Sequence, residues 1–390
     1  MKKKLTFNSL ICGLAVVSLQ PLSASPVSVT YDDGTIFEVG ETGFKNKLNI
    51  GIKTGYTYQK LNVRDGEDPD TSSFDVGLAR LDLTGESSNR TVGYNLQGDW
   101  AKAGLDASND VVLSNAYVWW APSDWLKFKL GQMKQGFPFQ FMKDDFEAQF
   151  YVRDSIAVQH YNIGRNQGLV LGVVEPEKTF GVHFGIFNGE SSFSFAEGTV
   201  GEGQNKPGID TDHRFVLTGF YNIMGNVDGY SEGDWACSED MHWRVNAAYS
   251  MADNNVGGGS LDLVDVAAGT EFRYGGFSAS AEVLWRDWDL GESSDDGFGY
   301  YVQAGHFFMP QELEGYARFS GLDCKAISVS GSDYCSLSAG DDVFEYAGGV
   351  AYYLGSRLYK IGAEVAFLDF GDGGSAKDHQ RVSLYLSTKF

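Results

Sequence analysis

Basic side chains are scarce in this chain: 30 Lys and Arg stand against 52 Asp and Glu, a formal net charge of −22. No nucleic-acid partner is expected of so acidic a sequence, which would repel a phosphate backbone. The chain has only 6 His and 4 Cys, and neither a CxxC pair nor a His/Cys cluster at ligand spacing occurs. No metal site and no cofactor are therefore expected. The sequence also contains no GxSxG, no phosphate-cradling glycine loop ahead of a helix, and no serine–histidine constellation, so no enzyme is expected. Its many Asp/Glu pairs fall in polar stretches, where solvation explains them. No segment past the N-terminus approaches ~18 uninterrupted apolar residues, which excludes a helical membrane anchor. With 8 Pro in 390 residues and no Pro-rich linker, nothing marks a boundary at which to divide the chain, and one large closed sheet accounts for its length.

What is present begins at the two ends. Lys2, Lys3 and Lys4 precede an apolar run from Leu10 to Leu19, and the small residues Ser23, Ala24 and Ser25 follow. This is the layout of a secretory signal over residues 1–25, which leaves 26–390 as the mature domain. Cys12 sits in the apolar run as filler. Cleavage removes three lysines and no acid, taking −22 to −25. At the other end Val382, Leu384, Leu386, Thr388 and Phe390 alternate with Arg381, Ser383, Tyr385, Ser387 and Lys389. A period of two with one apolar and one polar face is a strand fit for a membrane barrel wall. A terminal Phe390 with Leu386 and Leu384 behind it is also the type of signal read by the machinery that inserts such barrels. The expected destination is the bacterial outer membrane, in contact with lipid and lipopolysaccharide.

Segments of the same kind recur along the chain, separated by Gly- and Asp-rich stretches, and we count sixteen. Examples are Leu48, Ile50 and Ile52 against Lys47, Asn49 and Lys53, and Leu126, Phe128 and Leu130 against Lys127 and Lys129. The predicted fold is all-β, a transmembrane antiparallel barrel of about 16 strands, a size that encloses water and not a packed core. Trp100, Trp119, Trp120, Trp125, Trp285, Trp288, Tyr352 and Tyr353 are expected in girdles at the lipid interfaces. Tight turns are predicted near 87–90, 122–123, 176–177, 275–276 and 355–356. Long outer loops are predicted over 60–75, 134–166, 189–212, 225–240, 287–297 and 321–342. The segment 134–166 differs from the rest, because Phe137, Phe139, Phe141, Phe146, Phe150 and Tyr151 need a surface to pack on. We expect it inside the barrel as a constriction loop, with packing on a neighbouring subunit as the alternative.

These residues carry a family resemblance. Gly131-Gln132-Met133-Lys134, Phe137-Pro138-Phe139, Tyr151-Val152-Arg153-Asp154-Ser155, Gly164-Arg165-Asn166-Gln167-Gly168 and Gly185-Ile186-Phe187-Asn188-Gly189-Glu190 follow one another at the spacing of phosphate-selective porins of the O and P type. Asp32-Asp33-Gly34 and Leu78-Ala79-Arg80-Leu81 also look like that family. The resemblance implies a sixteen-stranded barrel, usually a homotrimer, that passes small ions and solutes and in some members prefers phosphate. Two departures stand out. Ala79 occupies a place where phosphate-specific members tend to carry a second arginine beside Arg80, and Asp144, Asp145 and Glu147 dilute the positive charge of 134–166.

Selectivity then turns on where charges sit. Inward strand positions read as Lys47, Lys53, Arg80, Lys127, Lys129, Arg214, Arg244, Arg273, Arg286, Arg318, Lys360, Arg381 and Lys389 against Asp82, Asp99, Glu271, Glu282, Glu312, Glu314 and Glu364, thirteen to seven. Lys134, Lys143, Arg153 and Arg165 add to the basic set from the loop and its edges. A basic lumen favours anions; a slip of one residue in any strand would swap its faces. The expectation is a diffusion channel with an anion preference such as phosphate. A cation-preferring or non-specific pore, a structural or adhesive barrel, and a barrel housing a partner protein stay open as alternatives. Cys324 and Cys335 share one predicted outer loop, which fits a disulfide in an oxidising compartment and leaves Cys237 unmatched.

Overall fold

The computed structural model describes residues 27–31, 34–39, 44–64, 68–101, 112–188, 211–256, 259–290, 293–324, 335, 338, 342–371 and 374–390. The predicted signal segment 1–25, most of the loop 189–212, and most of 325–341 lie outside the described residues. The chain forms β1 (Val27–Tyr31), β2 (Thr35–Val39), β3 (Phe44–Val63), β4 (Asp70–Glu86), β5 (Val92–Asp99), β6 (Val112–Ser123), β7 (Leu126–Lys134), β8 (Arg165–Val174) and β9 (Phe180–Phe187). It continues as β10 (Thr211–Met224), β11 (His242–Val256), β12 (Gly259–Tyr274), β13 (Phe277–Leu290), β14 (Ser293–Met309), β15 (Leu313–Leu322), β16 (Val343–Tyr353), β17 (Tyr359–Phe370) and β18 (Ala376–Lys389). One short helix, α1 (Ile156–Tyr161), lies between β7 and β8.

From β3 to β18 each strand pairs antiparallel with the next, and β18 returns to β3 with Leu384 opposite Tyr56. Among the described residues there are eighteen strands, of which all but β1 and β2 stand in this ring, so the closed barrel has sixteen. Closure leaves no free edge, the condition for a sheet to cross lipid. Ahead of the ring, β1 and β2, on either side of Asp32-Asp33-Gly34 in the sequence, form a hairpin, and β2 runs along β3, Thr35 opposite Leu48 to Val39 opposite Phe44. It takes up the edge of β3 just past the point where Phe390 pairs with Ile50.

The alternation has a direct physical outcome. Along β18, Val382, Leu384 and Leu386 are 43, 55 and 42 % exposed, whereas Ser383, Tyr385 and Ser387 between them are buried. Val365, Ile361, Val283, Leu217, Val182 and Val118 continue the exposed apolar belt around the wall. Left in water, each large side chain of that belt would forgo about 1.5–3 kcal/mol of burial; lipid removes the penalty. Among the aromatics assigned to girdles, Trp100, Trp120, Trp125 and Tyr352 are exposed. Three others turn inward and correct the reading: Trp119 lies under Lys127, Trp288 packs against the interior cluster and Tyr353 is buried beside Trp235. Each sits one residue off the outward parity of its strand.

The two rims differ. The tight turns at 87–91, 175–179, 275–276 and 354–358 share the rim of Phe390 with the connection 225–241, which was read as an outer loop and belongs at the opposite end. The predicted loops 60–75 and 287–297 are largely strand, since β3 and β4 extend to 63 and 70 and β13 and β14 to 290 and 293. Short polar repeats there continue the pairing beyond the apolar belt.

Candidate functional site

Residues between β7 and β8 do not project away from the barrel. Phe137, Phe146 and Phe150 are almost wholly buried, and α1 packs against β13, β14 and β15. Phe150 meets Tyr316 edge-on at 4.6 Å, Tyr151 stacks on Tyr385 at 5.2 Å, and Phe146 lies against Gly51 and beneath Arg80. A segment of backbone inside a barrel must also find partners for its N–H and C=O groups, and the wall supplies them. Lys53 Nζ donates to the carbonyls of Asp145, Phe150 and Tyr151, the last at 2.6 Å. Lys360 donates to Ala148 O, Arg318 to Val152 O and Arg153 O, and Arg286 to Tyr161 O. The wall carboxylates serve the other polarity: Glu282 accepts from the N–H groups of Phe139 and Gln140, Glu364 from Tyr151, and Glu345 from Ile156.

Ion pairs complete the attachment. Arg80 reaches Asp145 at 2.7 Å and Arg153 reaches Asp145 and Asp154, while Lys389 holds Asp144 at 2.7 Å and Lys143 pairs with Glu271. Burial pushes the Asp145 carboxyl up, but Arg153 and Arg80 outweigh it and hold the group well below the usual carboxylate range. Deeper in the wall Arg214 and Arg286 share the buried Asp265, and Arg318 pairs with Glu345 at 2.8 Å. Asp265 and Glu345 were absent from the inward set although strand parity would have found both, two-residue steps from Glu271 reaching 265. Glu312 was placed inward and is instead exposed in the turn after β14.

The opposite side of the bore is open. A cavity of about 540 Å³ runs along β6 to β11, lined by Arg80, Lys129, Lys134, Lys143, Arg165, Lys178 and Arg244 against Asp144, Asp228 and Glu271, seven basic to three acidic groups. Lys129, Arg165 and Arg244 form no ion pair among the described residues, and neither does Lys127 nearer the rim. They rest on aromatic faces: Lys127 over Trp119 at 4.0 Å, Lys129 over Tyr117 at 5.5 Å, Arg165 over Phe141 at 5.4 Å and Arg244 over Phe220 at 4.0 Å, with Arg244 also donating to Asn246 Oδ1 at 2.6 Å and to Val227 O at 3.4 Å. The amides Gln97, Asn115, Asn222 and Asn246 fill the spaces between. Lys134 contributes less, because its ammonium is tied to the carbonyls of Phe141 and Lys143. Lys47 stands apart at the Phe390 rim, close under Gly34. Thus the predicted basic set splits, with Lys127, Lys129, Arg165 and Arg244 beside open space and Lys53, Arg80, Lys143, Arg153 and Arg214 engaged in fixed contacts.

The connection 225–241, unassigned to the lumen from sequence, also enters the bore. Asp144 N–H donates to Tyr230 O at 2.7 Å, Glu232 N–H to Glu147 O at 3.1 Å, and Gln149 N–H to the Glu232 carboxylate at 2.8 Å. It carries Val227, Asp228, Gly229 and Tyr230 into the lining of the cavity. On the far rim Cys324 and Cys335 form a disulfide, and Cys237 is free.

A sixteen-stranded closed barrel, an apolar outer belt and a loop folded within it define a channel architecture. The sequence model described as "Phosphate-selective porin O and P" matches residues 48–331, well over half of the chain. This chain belongs to that porin family. Among solved structures the porin is similar to the anion-selective porin from Comamonas acidovorans, with a TM-score of 0.60 and 14 % identity over 89 % of this chain and 100 % of that one. It is also similar to the DcaP channel of Acinetobacter baumannii (TM-score 0.61, 15 %, 89 % of this chain and 97 % of that one). The third is OmpF of Salmonella typhi (TM-score 0.58, 12 %, 93 % and 100 %). At such identities the likeness is one of fold. Among curated proteins no sequence matches it. The porin is located in the bacterial outer membrane and forms a channel for small solutes, and its short turns place the Phe390 rim on the periplasmic side.

Proposed function

We propose that this porin passes small anions by diffusion, phosphate and related oxyanions among them, along the lane between β6 and β11. The observation that carries the reading is the set Lys129, Arg165 and Arg244: three cations without a carboxylate partner among the described residues, facing the cavity. Each can replace part of the hydration shed by an oxyanion in the lane, and the neutral amides beside them do not cancel their field. The folded-in segment 134–166 acts as the constriction loop by filling the opposite half of the bore. The overall charge of −22 resides largely elsewhere, in strand extensions and loops at the rims, where salt screens it over about 8–10 Å. We assign the chain, with the family resemblance, to a homotrimer exported by its signal segment and inserted by the barrel-assembly machinery through its C-terminal strand.

The test is the reversal potential of the purified protein in a planar bilayer under a potassium chloride gradient, repeated with phosphate. An anion-selective potential, with current reduced by phosphate, is the expected result. A cation-selective potential would put Asp228, Asp144 and Glu271 in control of the lane and reverse the proposal.

A further inference from the structure

Resting on that reading of an anion lane, we propose that the connection 225–241 is a second jaw of the constriction, entering from the periplasmic end, and that Tyr230 is its specificity-determining tip. The segment is long for a rim whose other turns are tight, and its backbone is fastened on both sides of Tyr230. Arg273 donates to Asp228 O at 3.0 Å and to Ser231 O at 2.7 Å. The Tyr230 carbonyl itself accepts from Asp144 of the constriction loop. Further along, Glu232 gathers Gln149 N–H and the Gln303 amide, Asp234 accepts from Gly276 N–H at 2.8 Å, and Trp235 packs against Phe307 and Tyr353. Val227, Ser231 and Asp234 are buried. Between these anchors the Tyr230 side chain is 58 % exposed and borders the same cavity as Lys129, Tyr117 and Arg244.

A large aromatic ring on a fixed backbone, more than half exposed and bordering an aqueous bore, does not stabilise the fold by burial. Its position matters for what passes beside it. The ring narrows the lane where the cations are unpaired, and its hydroxyl can donate to an oxyanion held by Lys129 or Arg244. The constriction loop and the periplasmic segment thereby close on the lane from opposite ends and are joined to each other through Asp144, Glu147 and Gln149.

The experiment compares single-channel conductance and chloride-to-phosphate permeability for the full-length protein and for Tyr230→Ala, Tyr230→Phe and Lys129→Ala. Tyr230→Ala is expected to raise chloride conductance by roughly twofold and to weaken the distinction between chloride and phosphate, with Tyr230→Phe restoring the conductance. Tyr230→Cys provides a check on the intact fold: a sulfonated methanethiosulfonate added on the periplasmic side should reduce its current and leave the wild type, with its native Cys237, unaffected. If Tyr230→Ala leaves conductance and permeability ratio unchanged, or the Tyr230→Cys current does not respond, while Lys129→Ala shifts the reversal potential, the second jaw is wrong and the anion lane stands. If the wild type shows no anion selectivity and Lys129→Ala changes nothing, the lane itself is wrong and the proposal falls with it.

Discussion

Lys360 and Lys129 are both strand lysines aimed into the bore, yet they end in different company. On the side formed by β13 to β18 with β3 and β4, inward cations stop on loop carbonyls or carboxylates: Lys360 on Ala148 O, Arg318 on Glu345 and Arg153 O, Lys53 on three carbonyls. On the side formed by β6 to β11, Lys127, Lys129 and Arg165 lie over aromatic rings with no ion pair among the described residues, while Lys134 and Arg214 are held as on the other side. The difference lies in what needs them. A loop held inside a barrel carries buried backbone groups that must be paired, so the wall beneath it is built of side chains of both signs. Where buried backbone does not engage them, Lys129 and Arg165 keep no ion pair among the described residues and border the cavity. The count of inward charges therefore overstates the number available to an ion, and the open side is the part to read for selectivity.

The sharpest way to break the comparison is at Arg318. Replacing it by Ala leaves Glu345 and two loop carbonyls buried without their partner, and a loss of about 3–5 kcal/mol is expected, read as a lower thermal unfolding midpoint in detergent. An unchanged midpoint would mean that the wall does not hold the loop. Lys53→Met should cost less, about 1.5–3 kcal/mol for hydrogen bonds to a charged donor, and should raise open-channel current noise as residues 145–151 loosen. On the open side Lys129→Ala should do the reverse. Stability should stay within ~0.5 kcal/mol, while the reversal potential in a chloride gradient moves toward the cation value. A midpoint that falls as far as for Arg318→Ala would erase the distinction between the two sides.

The smallest effect concerns acid. Arg153 and Arg80 hold Asp145 well below the usual carboxylate range, so its contribution is fully present above the ordinary Asp value of ~3.9 and is lost only as pH falls through the depressed one. Conductance should be constant from neutral pH to about pH 4.5 as far as this anchor governs it. Release of the loop at pH 5 to 6 would show that Asp145 is not the anchor.

The outward and inward faces of the strands were legible because period-two alternation is a local property, and a closed wall between lipid and water enforces it at nearly every residue. Leu384 and Leu386 could be assigned to lipid, and Lys129 and Arg244 to the lumen, from their neighbours alone. Even the exceptions, Trp119 and Tyr353, obey the parity of their strands and were misassigned on residue type. The aromatic content of 134–166 likewise announced a segment in need of packing. What the sequence could not state was which inward charges meet one another, because those partners lie at very different separations, 21 residues apart for Arg286 and Asp265 and 245 for Asp144 and Lys389. Nor did its polar, acidic composition reveal that 225–241 enters from the periplasmic rim: strand parity assigns faces, but the end to which a connection belongs follows only from the full order of strands around the ring. Local chemistry thus determined a porin wall and its lining, and the tertiary structure alone decided which half of the bore is occupied and which half is left open, since that depends on where two long segments fold back and which buried backbone groups they bring.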